Sequence, residues 1–511
     1  MFATALKKAP QILFSVIRSR KFFYATVILL VLQAVWFALV ARYPMAFDED
    51  FHFGIIQIYA HQWSPFFSST PPDSGAYGEL VRTPSYLYHY LMSFPYRLIA
   101  ALTHDQTVQI IFLRFLNIAM FAGGLALFQK LLKRLRFSDG ITNLSLFILI
   151  LVPVVPFLAG QINYDNLLFL LTPALGLAAL SCAQTIRSKG YVPAKSLIYL
   201  LSLGMFGSLV KYPFAPIFFA AVLYVAFAIW RHKKYTEAAK KCWQSFTSAR
   251  LVSRILLMVL LLVSTGLFLE RYGGNLVQYK SLNPDCAEVE TVAHCQEYGP
   301  WARNYQIQNG DGDEFLDQSN ANFVSFVGQW IFGLMHRLYF AISYNYVNYY
   351  ELPLPVTAAY SIGLIGLVLG GIYWKKLFRQ HPHLLLAFLM TAIYIASLFY
   401  VNYSDFLKYN SFLAINGRYL IPVLPFIFAA LAAAFGVALQ KIKAPDHAVR
   451  ATFWLTVVVL FFTLQGGGAL TFAVRSDDDW YRPNQLAHDL GRGLKDISVP
   501  LIIGAGSKQN G

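Results

Sequence analysis

Charge is scarce in this chain. Only 13% of its 511 residues are Asp, Glu, Lys or Arg, and only 26 are acidic, whereas 57% are hydrophobic. Such a composition excludes an ordinary soluble globule and reads as a membrane protein. Cysteine is scarce too, and four are too few for a disulfide framework. Strand-length alternation of the outer-membrane barrel type is missing, which leaves helices as the spanning elements. There is no internal repeat and no low-complexity tract. The terminal "GAGSKQNG" lacks the Gly-Lys-Ser/Thr of a phosphate loop and reads as a frayed end.

What the chain has instead is apolar runs long enough to cross a hydrocarbon core of about 30 Å. They fall near 22–41, 108–129, 141–159, 167–186, 196–210, 213–230, 255–269, 355–374, 384–402, 419–440 and 451–473. The fold expected is therefore an all-α polytopic membrane protein with about eleven transmembrane helices. Residues 1–21 precede the spanning domain (22–473), and 474–511 form a tail. The first span is long for a signal peptide and others follow it, so it reads as an uncleaved anchor.

The 41 basic residues are unevenly placed. Six short connections (1–21, 130–140, 187–195, 231–254, 375–383 and 441–450) hold 25 of them against three acids, Asp139, Glu237 and Asp446. The rest of the chain carries 16 basic and 23 acidic residues. Positive connections stay in the cytoplasm, so the amino terminus and these six segments are expected inside and the tail outside, across the cell (inner) membrane. The net charge of +15 is then topogenic, and no nucleic-acid partner is expected. Two outside loops are long, about 42–107 and 270–354. Loops of that length are usually functional. The first carries "RTPSYLYHYLMSFPYRL", whose periodicity suits a helix lying on the membrane surface. The second carries Cys286 and Cys295, expected to pair, and an aromatic stretch over 323–350 that suits an interfacial or re-entrant helix better than a span. Gly366-xxx-Gly370 suits close helix approach.

The expected topology gathers polar groups on the outer surface. "FDEDFHFG" places Asp48, Glu49 and Asp50 at the mouth of the first span, and "GQINYDN" places Asp165 in a short outer turn. Lys211 in "SLVKYPFAP", Arg418 in "NGRYLIPVLP" and Arg114 supply cations. Ionisable groups at such depth are costly unless paired or facing a polar cavity. Glycosyl transfer from a polyprenyl-phosphate sugar needs this set: a carboxylate as general base and positive charge on the departing phosphate. Asp48 is the candidate base, and Lys211, Arg418 and Arg114 are candidates for the phosphate. Asp48, Asp50 and Asp165 are candidate ligands for a divalent cation such as Mg or Mn. Each has a plainer reading alongside. The acids can cap the helices that follow them, Lys211 and Arg418 can snorkel to headgroups, and Arg114 can be a structural partner. His52 and His89 can be packing groups or contacts to sugar or acceptor.

These residues resemble the GT-C superfamily of polytopic membrane glycosyltransferases. "FDEDFHFGIIQIYA" is similar to its D-E-x-x-H opening at Asp48, Glu49 and His52, and "RTPSYLYHYL" is similar to its loop segment at Arg82, Pro84 and Tyr88. "INYDNLLFLL", "SLVKYPFAPIFF" and "NGRYLIPVLPFIF" look like a bacterial family of mostly uncharacterised members. The resemblance implies lipid-linked sugar donors and catalysis by an acid of the first outside loop, here Asp48 or Glu49. It also implies sugar or acceptor contacts from His52, Arg82, Tyr88 and His89. In oligosaccharyltransferase-like relatives an acidic motif after the third span helps hold a metal, and here Asn163 replaces one of its acids beside Asp165. The function expected is an inverting transferase moving sugar from a polyprenyl phosphate to a glycan, glycolipid or protein acceptor outside the membrane. A transporter, flippase or polymerase of lipid-linked glycans is the alternative. Against it, the polar groups gather at one face, and the two halves do not look alike.

Overall fold

The computed structural model describes residues 11–232, 235–310, 322–339, 354–441, 458–459, 467–475 and 478–502. Among them there is no β-strand, only an isolated bridge between Ala41 and Tyr481. Among the described residues seven helical segments are long and apolar enough to cross a membrane, and three shorter apolar helices accompany them. This is a multi-pass helical membrane protein.

The elements follow from the apolar runs and their punctuation. Ser19 caps helix α1 (Arg20–Val40) by accepting from the Phe22 amide. Two helices of the first loop come next, α2 (Glu49–Ala60) and α3 (Leu87–Leu102), the latter covering the aromatic surface segment. Asp105 caps α4 (Gln106–Arg134), which runs antiparallel to α1. The run at 141–159, expected as one span, is broken into α5 (Asp139–Leu151) and α6 (Val154–Ala159). Pro153 is the cause: it pushes Val152 into an extended conformation, ψ 118°, and a helix cannot continue through that residue. Helix α7 (Tyr164–Lys189) then descends and α8 (Ala194–Val210) and α9 (Ala215–His232) follow.

An amphipathic helix, α10 (Tyr235–Thr247), precedes α11 (Leu251–Phe268), which continues through a π-turn at Leu269–Gly273 into α12 (Gly274–Tyr279). Cys286 and Cys295 form the expected disulfide, and α13 (Gly299–Asn309) follows it. The aromatic stretch gives α14 (Phe323–Tyr339); its continuation to 350 lies outside the described residues. Helices α15 (Leu354–Gln380), α16 (Leu384–Tyr409) and α17 (Leu424–Lys441) complete the bundle. The start of α17 is later than expected, because Gly417–Leu420 forms a 3-10 turn ahead of it. Most of the eleventh run, 451–473, lies outside the described residues. The tail contributes α18 (Gln485–Ile502).

Packing centres on α4 against α7, where Phe121 stacks on Phe169 at 4.0 Å and Gly124 leaves room for the Phe169 ring. Gly366 likewise admits Leu431 of α17, whereas Gly370 meets nothing. Helix ends sort into two sets. At one end Asn163 and Arg418 both donate to the Phe47 carbonyl, at 3.0 and 2.9 Å. At the other, Asn143 donates to the Ile17 carbonyl at 2.8 Å and His381 meets the Arg136 carbonyl at 3.0 Å. The acidic turn, the α6–α7 turn, Lys211 and the 3-10 turn thus share one end, and the described parts of the basic connections lie at the other. The tail returns to the first end: Arg482 donates to the Ala41 and Ala38 carbonyls at 3.2 Å, and Trp36 stacks near Trp480 at 5.8 Å.

Candidate functional site

The site is built around the turn that leaves α1. Phe47 and Asp48 both adopt left-handed backbone, φ 71° and 70°, which costs a non-glycine residue on the order of 1 kcal/mol or more. The surroundings hold this turn in place. The Phe47 carbonyl accepts from Asn163 and Arg418, and the Met45 amide donates to Glu49 at 2.9 Å. Asp48 stands at the N-cap position of α2 but makes no side-chain capping bond. Its carboxylate turns to Arg418 instead, with Oδ2 2.7 Å from Nη2, and 58% of the side chain stays exposed. The capping reading therefore does not describe Asp48.

A second ion pair lies beneath the first. Asn163 caps α7 by accepting from the Asp165 amide at 2.9 Å, so the Asp165 side chain is not the cap. Its Oδ1 meets Lys211 Nζ at 2.6 Å, with both side chains almost completely buried. Lys211 comes from the extended residue between α8 and the 3-10 turn Tyr212–Phe214. Two tyrosines join the pairs: Lys211 lies 4.3 Å from the Tyr164 ring and 4.9 Å from Tyr419, and Arg418 lies 5.3 Å from Tyr419. Asp165 Oδ2 and Arg418 Nε are buried without a hydrogen-bond partner among the described residues. An acceptor and a donor are thus left open within one cluster, each at a cost of about 1–3 kcal/mol unless something fills the role.

Glu49 and Arg114 do not join this cluster. Arg114 grips Glu49 through Nε and Nη2 at 2.8 and 2.6 Å and donates from Nη1 to the Ala38 and Ala41 carbonyls at 3.1 Å. Glu49 also accepts from the Ile162 amide at 3.1 Å. Both side chains are wholly buried, so neither offers a face to a substrate. The plainer reading of Arg114 describes its position. Tyr88 is similarly enclosed, its hydroxyl donating to Asn117 Oδ1 at 2.9 Å. Arg82 points elsewhere, bonded to Glu270 and Asn275 at 2.9 Å, where it ties the first loop to the end of α11.

His52 Nδ1 and His89 Nε2 are 2.9 Å apart, and His52 packs edge-on to Tyr164 at 4.4 Å. Burial lowers the His89 imidazole to about 3 and holds His52 well below its ordinary 6.5. Both rings are therefore neutral near pH 7, and His52 Nε2 is buried without a partner among the described residues. The second loop closes over the first: Thr70 donates to Glu290 at 2.6 Å, His294 meets the Gly78 carbonyl at 3.2 Å, and Tyr298 lies 5.6 Å from Phe51. Burial first, then the nearby Asp48 charge, push the Tyr298 phenol up to about 12.

The expected metal ligands do not converge. Among the described residues no three His, Cys, Asp or Glu side chains group as a metal site. Asp48 and Asp165 each face a cation, and Asp50 is exposed. The donor set does not fit a resident divalent ion. Tyr164, Tyr419 and Tyr298 were not anticipated. The first two sit beside Asp165 and Arg418 in "NYD" and "GRY", which is the only local signal of them; Tyr298 is brought in by a loop packed across the fold.

A family model described as "Predicted membrane protein (DUF2142)" matches residues 78–427. No curated protein matches the chain. Among solved structures, the chain is similar to the crystal structure of ArnT from Cupriavidus metallidurans bound to undecaprenyl phosphate. The identity is 13% and the TM-score 0.43, over 95% of this chain and 71% of that one.

Proposed function

The chain belongs to the DUF2142 family of predicted membrane proteins, and we propose that it is an inverting glycosyltransferase using a polyprenyl-phosphate sugar. The acceptor is a glycan, glycolipid or protein outside the cytoplasmic membrane. One observation carries the reading: an accessible carboxylate, Asp48, is fixed by a buried guanidinium at one end of the bundle, with a second buried cation beside it.

The geometry suits each part of the reaction. A polyprenyl tail stays in lipid while its phosphate and sugar reach the end of the bundle. Asp48 takes the proton from the acceptor hydroxyl as that oxygen forms its bond to the anomeric carbon. The bond from that carbon to phosphate oxygen breaks on the opposite side, and the polyprenyl phosphate leaves with the electron pair. Arg418, whose Nε is open, and Lys211 stabilise the departing charge. Arg418 also orients the Asp48 carboxylate through the 2.7 Å contact. Glu49 and Arg114 have no chemical role in this scheme; they fix the turn that presents Asp48.

The test is the surface-glycan composition of a deletion strain complemented with wild type or Asp48→Asn, with membrane levels of each protein measured alongside. One sugar should vanish on deletion and return with wild type. Asp48→Asn should lower transfer by about 100-fold or more, the usual worth of a general base, at unchanged protein level. Full restoration by Asp48→Asn would remove Asp48 from the chemistry and the proposal with it.

A further inference from the structure

We propose that a groove between α4, α7 and α8, at the end of the bundle opposite the site, holds an anionic phospholipid by its phosphate. The groove has a volume of about 270 Å³ and no carboxylate in its lining. Its walls grade from polar to apolar with depth. Arg134, Ser181 and Ser196 lie towards the helix ends that carry the basic connections. Leu203 stands seven residues further along α8 than Ser196, about 10 Å deeper at 1.5 Å per residue, and Leu177 and Ala174 lie about one and two turns deeper than Ser181 along α7. A phospholipid has the same gradient, with a charged phosphate at the interface and a chain below it.

The cations are set for such a ligand. Lys130 and Arg134 are four residues apart on α4, so they share one face, and both are exposed. Arg134 donates to Ser181 Oγ at 3.1 Å, which leaves the rest of its fork open. Lys130, one turn deeper, has no ion pair or hydrogen bond among the described residues. The nearby acid Asp139 is taken by Lys133, which lies outside the groove. A third cation, Lys195, sits at the rim 5.7 Å from the Tyr199 ring, which lines the groove and is 41% exposed. Two cations with no acid between them, above an apolar slot open to lipid, match a phosphate with an acyl chain.

The inference is independent of the proposed transferase activity, and so is its test. Purified protein in nanodiscs of phosphatidylglycerol and phosphatidylcholine would be released and its bound lipid read by native mass spectrometry. Wild type should retain phosphatidylglycerol in preference to phosphatidylcholine. A cation near the membrane surface is worth about fivefold in affinity, so Lys130→Ala/Arg134→Ala should lose about thirtyfold. Lys241→Ala, on α10 outside the groove, should lose nothing. Leu203→Trp fills the slot with the charges intact and should also release the lipid, which covers the case that the double variant fails to fold. Equal retention by wild type and both groove variants would overturn the proposal. So would equal retention of the two lipids, or displacement by inorganic phosphate alone.

Discussion

Adjacent acids in "FDEDF" have opposite fates, and the difference lies in what surrounds each side chain. Asp48 is 58% exposed and meets one guanidinium. Glu49, the next residue, is sealed with Arg114 and two backbone amides. Removing the charge from Glu49 leaves Arg114 buried with a neutral partner, and breaking such a pair costs about 3–5 kcal/mol. Glu49→Gln should therefore lower the thermal midpoint and the steady-state membrane level of the protein, whereas Asp48→Asn should leave both near wild type. A heat-denaturation series in detergent separates the two. If Glu49→Gln keeps wild-type stability, the closed pair is not what holds the turn. The acid cluster was legible as a candidate site because three carboxylates at the mouth of a span are unusual. Which acid faces outward was not, since that depends on Arg114, Ile162 and Arg418, distant in sequence and adjacent only after folding.

Helices were legible wherever a long apolar run is closed by caps or basic residues, as in α1, α4, α7 and α16. The misreadings came at proline and glycine. Pro153 splits one expected span, and the 3-10 turn Gly417–Leu420 delays another and carries the buried Arg418. That turn lies hard against α14. A Cβ at Gly417 would overlap the Leu334 carbonyl oxygen and come within 2.6 Å of the Leu338 nitrogen. Both are backbone atoms of a packed helix, so no side-chain rotation relieves the clash, and overpacking of this kind costs about 1–3 kcal/mol. Gly417→Ala should push the turn off α14, move Arg418 away from Asp48, and lower transfer activity more than it lowers protein level. A variant with full activity in the complementation assay would show that the turn can shift without cost. The glycine in "GRYL" was visible in the sequence, but its reason was not, because α14 approaches from a different loop.

The whole molecule is polarised. The two ion pairs, the disulfide unit and the returning tail occupy one end; α10 and the described parts of the basic connections occupy the other. That division makes the orientation measurable with the protein's own cysteines. Cys286 and Cys295 belong to the site end, and Cys242 lies on α10 at the opposite end, half-buried, while Cys182 is buried in α7. With 25 of 41 basic residues in six connections, that opposite end is expected in the cytoplasm. A membrane-impermeant maleimide applied with a reductant to sealed right-side-out vesicles should then label Cys286 but not Cys242, which should react only after permeabilisation. A Cys242→Ser variant should lose the second signal alone. Labelling of Cys242 in sealed vesicles would place Asp48 in the cytoplasm. A site so placed would face cytoplasmic acceptors, so this measurement decides on which side of the membrane the proposed transfer would take place.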